Sequence, residues 1–157
     1  MKRNKKLCCM LLSICMLSLT ACGKDKEPVS ADMFVEQMER AGLTVTDQTA
    51  EVMEGSGLSS AQVASLEGEY QIEFYQMDGE DHAKNIYNNA KDDLENQYET
   101  ANGVAKTNVS MRNYAKFTIT AEDRYFIVSR ISDTMIYATA TKENKDTVKD
   151  TVTGLGY

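Results

Sequence analysis

Residues 104–141 constrain the fold of this chain more than any other segment, because they place three or four predicted strands close together. Apolar side chains occupy alternate positions of residues 114–120, which is the period of a half-buried strand. Residues 125–131 and 135–141 are rich in β-branched and aromatic side chains, which strands prefer. The turns between these segments are shorter than the dozen or so residues that a parallel crossover needs. The sequence therefore predicts a largely antiparallel sheet.

The rest of the predicted domain contributes three strands and three helices. A first helix is expected to begin at Ser30, a good N-cap residue, and to end at Gly42 in a left-handed cap. A long amphipathic helix is expected to follow Asp78, which can cap it, and to end near Gly103. The other expected elements are strands at residues 43–46, 61–66 and 70–75, a loop at 51–60, and a weak helix after Thr141. This order predicts an α+β fold, a two-layer sandwich of a largely antiparallel sheet with the helices packed on one face.

The N-terminal 21 residues have the three-part layout of a secretory signal peptide. Four cationic residues between Lys2 and Lys6 precede an apolar run from Leu7 to Leu19, and small residues follow it. The run is 13 residues long and contains two serines, whereas a transmembrane helix needs about 20 apolar residues. We therefore expect a leader that is cleaved.

The end of this leader, Leu19-Thr20-Ala21-Cys22, resembles the lipobox of bacterial lipoproteins. The resemblance implies cleavage before Cys22, a diacylglyceryl group on its sulfur, and a protein anchored by lipid at the extracytoplasmic face of the cell membrane. Two acyl chains hold a protein stably at a bilayer, whereas one binds only marginally. The expected organisation is a signal peptide at 1–21, the lipidated cysteine and a tether at 22–29, and one extracytoplasmic α+β domain at 30–157.

Cleavage before Cys22 leaves 136 of the 157 residues and removes the other three cysteines, Cys8, Cys9 and Cys15. A lipidated sulfur forms no disulfide and binds no zinc, so the domain must fold on its hydrophobic core alone. The leader holds four of the 17 Lys and Arg residues and none of the 24 Asp and Glu residues, so the mature net charge is −11. This charge disfavours nucleic acid as a partner and favours a domain that stands off anionic lipid.

Residues that could carry out catalysis are few. His82 is the only histidine, it is expected at a solvated helix start, and the chain has no Gly-x-Ser-x-Gly motif. One histidine without an available cysteine excludes the common zinc ligand sets. The acidic residues at 78–81 lack the spacing of a calcium loop, and no glycine-rich phosphate loop is present. We therefore expect no catalytic residue, no metal and no cofactor.

One face of the predicted sheet could bind a partner. Tyr75 lies on the opposite side of its strand from Phe74, so it points away from helices that cover Phe74. The residues expected to share this bare surface are Tyr75, Met77, Lys116 and Arg130. An exposed aromatic patch with a polar rim is typical of partner sites. Ordinary decoration of an amphipathic strand is the alternative.

The chain as a whole resembles small lipoproteins of Firmicutes that carry a lipobox signal peptide. The features that match are the lipobox, an acidic tether, a helix ending in the sequence at 41–45, the strand at 70–75 before a long helix, and the terminal sequence at 154–157. No catalytic or binding residues come with this group. The resemblance therefore implies the location and the anchor and leaves the activity open.

These observations favour a membrane-anchored extracytoplasmic lipoprotein that acts as a non-enzymatic protein- or peptide-binding module of the cell envelope. Its expected partners are the membrane, through the lipid on Cys22, and an envelope protein or peptide bound at an exposed strand edge or sheet face. Two alternatives stay open. One is a small-ligand binding lipoprotein that serves a transporter, and the other is an envelope hydrolase that uses His82 or a pair of carboxylates.

Replacing Cys22 by alanine should block lipidation and leave the leader attached, because the sulfur that accepts the lipid is gone. The intact mass of the protein extracted from membranes measures both changes. Cys15→Ala, a matched change within the leader, should be processed like the wild type. A wild-type protein that keeps residues 1–21, or carries an unmodified Cys22, would contradict the prediction.

Overall fold

The computed structural model describes residues 25–52 and 56–157. The predicted signal peptide, the lipobox residues and Cys22 lie outside the described residues. Within them, seven strands form one sheet in the order β1-β2-β3-β7-β6-β5-β4, and every neighbouring pair is antiparallel. The elements are α1 (Ala31–Arg40), β1 (Thr44–Asp47), α2 (Thr49–Val52), β2 (Leu58–Leu66), β3 (Tyr70–Met77), α3 (Glu80–Gln97), β4 (Ala105–Ser110), β5 (Tyr114–Ala121), β6 (Arg124–Ile131), β7 (Thr134–Thr141) and α4 (Lys145–Gly154).

The predicted α+β class is confirmed, with helices layered against an antiparallel sheet. Strands β4 to β7 follow one another as hairpins, as the short connections require. The β4 strand lies at an edge of the sheet. None of the helices in the described part of the chain combines the length and apolar character that a membrane crossing needs.

The helices divide between the two faces of the sheet, which corrects the expectation that they all pack on one face. Tyr125 and Ile127 of β6 belong to a core cluster that includes residues of α1 and α4. Phe126 and Val128, which alternate with them, belong to a second cluster that includes residues of α3. The physical reason is that β6 carries apolar side chains at successive positions, so both of its faces must be buried.

Helix α1 begins and ends as the sequence predicts. The Ser30 hydroxyl accepts a hydrogen bond from the Met33 amide at 3.2 Å, which caps the first turn. At the other end Gly42 has a φ of +83°, and the Leu43 amide donates to the Met38 carbonyl at 3.0 Å. This is the Schellman arrangement, and Leu43 is buried beside it. The cap therefore fixes the direction in which the chain enters β1.

Two local predictions were wrong. The segment expected to be a loop at 51–60 instead contains the end of α2 and the start of β2. Gly79 is the N-cap of α3, and no side chain caps that helix. The carboxylate of Asp78 lies 2.9 Å from Nδ1 of His82 instead, because the side chain turns toward the imidazole four residues later.

The C-terminal tyrosine is part of the core. Tyr157 is 2% exposed, and its hydroxyl shares a hydrogen bond with the hydroxyl of Thr134. Burial raises the pKa of Tyr157 to about 12. Its backbone oxygen accepts a hydrogen bond from Nζ of Lys116 at 3.1 Å. The last residue therefore joins α4 to the sheet.

Tyr157→Ala should lower the free energy of unfolding by about 3–5 kcal/mol, because it empties a buried aromatic site. Tyr157→Phe should cost only about 1 kcal/mol, because the ring stays and one hydrogen bond is lost. Urea unfolding of the two variants measures the difference. Equal losses would show that the ring itself contributes nothing.

Candidate binding groove

A groove of about 310 Å³ lies beside α3, at the border of the core cluster that this helix covers. Its lining is mostly apolar and consists of Ser56, Leu58, Glu73, Tyr75, Met77, Ile86, Met135 and Tyr137. A larger depression of about 550 Å³ lies at the β2–β3 turn, but polar and charged residues line most of it. The apolar groove has the character expected of a binding site, since such sites combine an apolar lining with few polar groups.

The pairing of β3 with β7 sets the floor of the groove. Tyr75 is directly opposite Met135, and Glu73 is directly opposite Tyr137. Opposed residues of an antiparallel pair point to the same face, so these four side chains form one surface. Ile86 of α3 is half-buried and forms the wall on the helix side.

One carboxylate stands among these apolar side chains. The Tyr75 hydroxyl donates a hydrogen bond to Glu73, and Nε2 of Gln71 donates to the same carboxylate at 2.7 Å. Burial raises the pKa of Tyr75 and of Tyr137, so both phenols stay protonated at neutral pH. Over residues 25–52 and 56–157, no lysine or arginine forms a salt bridge with Glu73. The groove therefore offers an apolar surface with a negative charge inside it.

The rim at residues 56–58 is held against the start of α3. Gly57 has a φ of +67°, and its carbonyl accepts a hydrogen bond from the Asp78 amide at 2.9 Å. The imidazole of His82 packs on Gly57 so closely that a Cβ there would lie 2.4 Å from Cε1 of the ring. The His82 side chain is only 28% exposed, whereas the sequence predicted a solvated residue. The imidazole therefore packs between the rim and the carboxylate of Asp78.

The four residues predicted to share a bare sheet face are not brought together. Tyr75 and Met77 line the groove. Arg130 lies on the same face but is only 3% exposed, because the start of α3 covers it and Glu80 pairs with it at 3.4 Å. Lys116 lies on the opposite face, where it reaches the end of the chain. The face itself is largely covered by α3.

Sequence reasoning missed the other groove residues. Met135 and Tyr137 alternate along β7, and this period places them on one face of a strand. The sequence does not show which strand lies beside them, because β3 and β7 are distant in the sequence. Ser56 and Leu58 fell within the expected loop.

The described residues bring together no set of three His, Cys, Asp or Glu side chains that could hold a metal ion. In the same part of the chain, no serine hydroxyl hydrogen-bonds to the imidazole of His82, which contacts the carboxylate of Asp78. Among the described residues, His82 and Asp78 therefore form an imidazole–carboxylate pair to which no serine hydroxyl is hydrogen-bonded.

Neither a protein-family model nor a curated protein sequence matches this chain. Among solved structures, the extracellular domain of PknH from Mycobacterium tuberculosis is similar, with a TM-score of 0.38 and 12% sequence identity. The similarity covers 82% of this chain and 92% of that one. A likeness at this TM-score supports no inference about fold or function.

Gly57→Ala should destabilise the domain more than Gly68→Ala. Both glycines have a positive φ, so both substitutions cost about 1 kcal/mol of backbone strain. At Gly57 the new Cβ also meets His82, whereas nothing lies within 4 Å of one at Gly68. Urea unfolding measures both, and His82→Ala should restore part of the loss in Gly57→Ala. Equal losses at the two glycines would show that the rim is not held by His82.

Proposed function

We propose that this protein is a lipid-anchored extracytoplasmic lipoprotein, and that it is a non-enzymatic module that binds a peptide segment of an envelope protein in the groove beside α3. The apolar groove with Glu73 inside it is the observation that carries the proposal. The lipobox at residues 19–22 supports the anchor and the location.

The chemistry of the groove indicates which peptide would fit. The partly exposed side chains of Leu58, Tyr75 and Tyr137 offer an apolar surface for an aliphatic or aromatic side chain. Glu73 would pair with a lysine or arginine beside that side chain. The mature net charge of −11 also attracts a cationic segment. We infer that the partner presents an apolar residue next to a basic one.

The shape of the groove favours a peptide over a small solute. Sites for small ligands enclose 70–90% or more of the ligand surface. This groove is only partly enclosed, so a small molecule in it would stay partly in water, whereas a peptide could extend beyond it. A hydrolase centred on His82 has less support, because its imidazole packs on Gly57.

Filling the groove should abolish partner binding. Ser56→Trp places a large side chain at the groove, and Ser59→Trp places the same side chain at an exposed position outside its lining. Cross-linking of the intact lipoprotein in its envelope, followed by purification, should recover a partner with the wild type and with Ser59→Trp. Ser56→Trp should lose it while keeping the wild-type unfolding midpoint. Recovery of no partner above background, or equal recovery by both variants, would contradict the proposal.

The charge in the groove can be tested in the same experiment. Glu73→Gln should lower recovery of the partner by up to about fivefold, as expected for a partly exposed ion pair. Glu69→Gln, a matched change in the exposed β2–β3 turn, should leave recovery unchanged. Equal recovery with both variants would remove the basic residue from the proposed partner.

A further inference from the structure

The second half of the predicted tether is fixed to the domain. The Lys26 amide donates to Oδ1 of Asn113 at 3.2 Å, and Nδ2 of Asn113 donates to the Lys26 carbonyl at 2.7 Å. Nζ of Lys26 donates to the Gly156 carbonyl at 2.6 Å and lies 3.9 Å from the ring centroid of Tyr114. Val29 packs against the core cluster that contains α1. The chain is therefore held on the domain from its first described residues.

An ion pair adds to this attachment. Nε of Arg112 donates to Oδ1 of Asp25 at 2.9 Å, and its Nη2 bonds the other carboxylate oxygen. Such a two-point contact fixes orientation better than a single one. Arg112 lies at one end of the sheet, where β4 passes into β5, and Asp25 is held against it. We call residues 25–26 and 111–113 the docking corner.

Covalent geometry brings this corner close to any lipid on Cys22. Only two residues separate Cys22 from Asp25, and three peptide steps span at most about 11 Å. Met111 stands at the corner with 63% of its surface exposed, and Val109 nearby is also exposed. Met111 is thus an exposed apolar side chain next to the residue that pairs with Asp25.

The charge around the corner differs from that of the whole domain. Lys116 is close enough to Lys26 and Lys149 that, together with its burial as the larger cause, their charges lower its pKa. Four carboxylates lie near these three lysines and Arg112: Asp25 pairs with Arg112, Glu27 follows Lys26, Asp133 helps to raise the pKa of Tyr157, and Glu80 helps to raise that of Arg112. The corner is therefore close to neutral in a mature chain whose net charge is −11. The far end of the sheet is more acidic, since its turns hold Glu67, Glu69, Glu122, Asp123 and Glu143 against Arg124 and Lys142.

Acidic residues also lie at the start of α3, on the same end of the sheet as the corner. They are Asp78, Glu80 and Asp81. The chain enters α3 from β3, three strand spacings from β5, but Glu80 reaches back to Arg130 of β6 at 3.4 Å. An anionic surface would therefore repel the corner less than it repels the exposed carboxylates of Asp78 and Asp81, and this difference sets a tilt.

We propose that the domain rests on the bilayer through the docking corner, with Met111 among the lipid headgroups and Arg112 and Lys26 facing anionic phospholipid. This inference rests on the proposed lipid anchor. It replaces the expectation, based on net charge alone, that the domain stands off the membrane. The groove then lies at the same end of the strands as the bilayer contact, since Met77 ends β3 there.

A cysteine-free domain allows a direct test. The purified lipoprotein with Met111→Cys carries a single reactive thiol for a fluorophore, because a lipidated Cys22 does not react. Vesicles of phosphatidylglycerol and phosphatidylcholine with a nitroxide-labelled headgroup lipid should quench this fluorophore severalfold more than one at Glu67→Cys. Glu67 lies in an exposed turn at the far end of the sheet. Equal quenching at both positions would overturn the proposal.

The electrostatic part is tested with matched arginine variants in the same labelled protein. Arg112→Gln should lower the ratio of docked to undocked protein by about fivefold in anionic vesicles, the expected effect of one cation at such a surface. Arg124→Gln, at the opposite end of β5 and β6, should leave it unchanged. An equal effect of the two variants would overturn a docked orientation.

A separate control detects whether Cys22 carries the lipid. The parent protein without an introduced cysteine should take up no fluorophore, and uptake would show that Cys22 carries no lipid, which overturns both proposals. Absence of uptake combined with equal quenching at positions 111 and 67 would overturn the docked orientation and leave the anchor standing.

Discussion

Burial of β6 on both faces is the constraint on which the rest of this structure depends. Its apolar side chains alternate between the cluster that includes α1 and α4 and the cluster that includes α3. A strand of this kind must lie inside the sheet and must have helices on both sides, since an exposed face would leave aromatic and β-branched residues in water. The hairpins on either side of β6 then fix the positions of β5 and β7. The domain achieves this without any disulfide in its described part.

The groove follows from a mismatch of widths. A helix with its side chains is about 10–12 Å across, whereas seven strands at about 4.8 Å spacing make a much wider sheet. Helix α3 contacts β6, β7 and β3, so the part of the sheet that this helix buries ends near the centre of the sheet. Tyr75 and Tyr137 at this border remain half-buried, and the rim at Gly57 closes the space from the other side. The same helix that buries Arg130 thus leaves Tyr75 accessible.

The docking corner and the groove belong to the same end of the sheet. Asn113 and Arg112 hold the chain that follows Cys22, and Met77 and Leu58 line the groove three or more strands away. In the proposed orientation the module would meet its partner close to the membrane surface. A partner that approaches there would be an envelope protein with a basic, apolar segment near the bilayer.

The sequence by itself determined most of the strands and the caps of α1, because each depends on residues close together in the chain. The export signal that it also predicts lies outside the described residues. The sequence also placed Tyr75 and Phe74 on opposite sides of β3, since the side chains of a strand alternate. Only the tertiary structure decided that β3 lies beside β7, that α3 covers Arg130 but only borders Tyr75, and that Lys26 is held by Asn113. These contacts join residues far apart in the sequence. They depend on how whole helices and strands pack together, and no local sequence pattern contains that information.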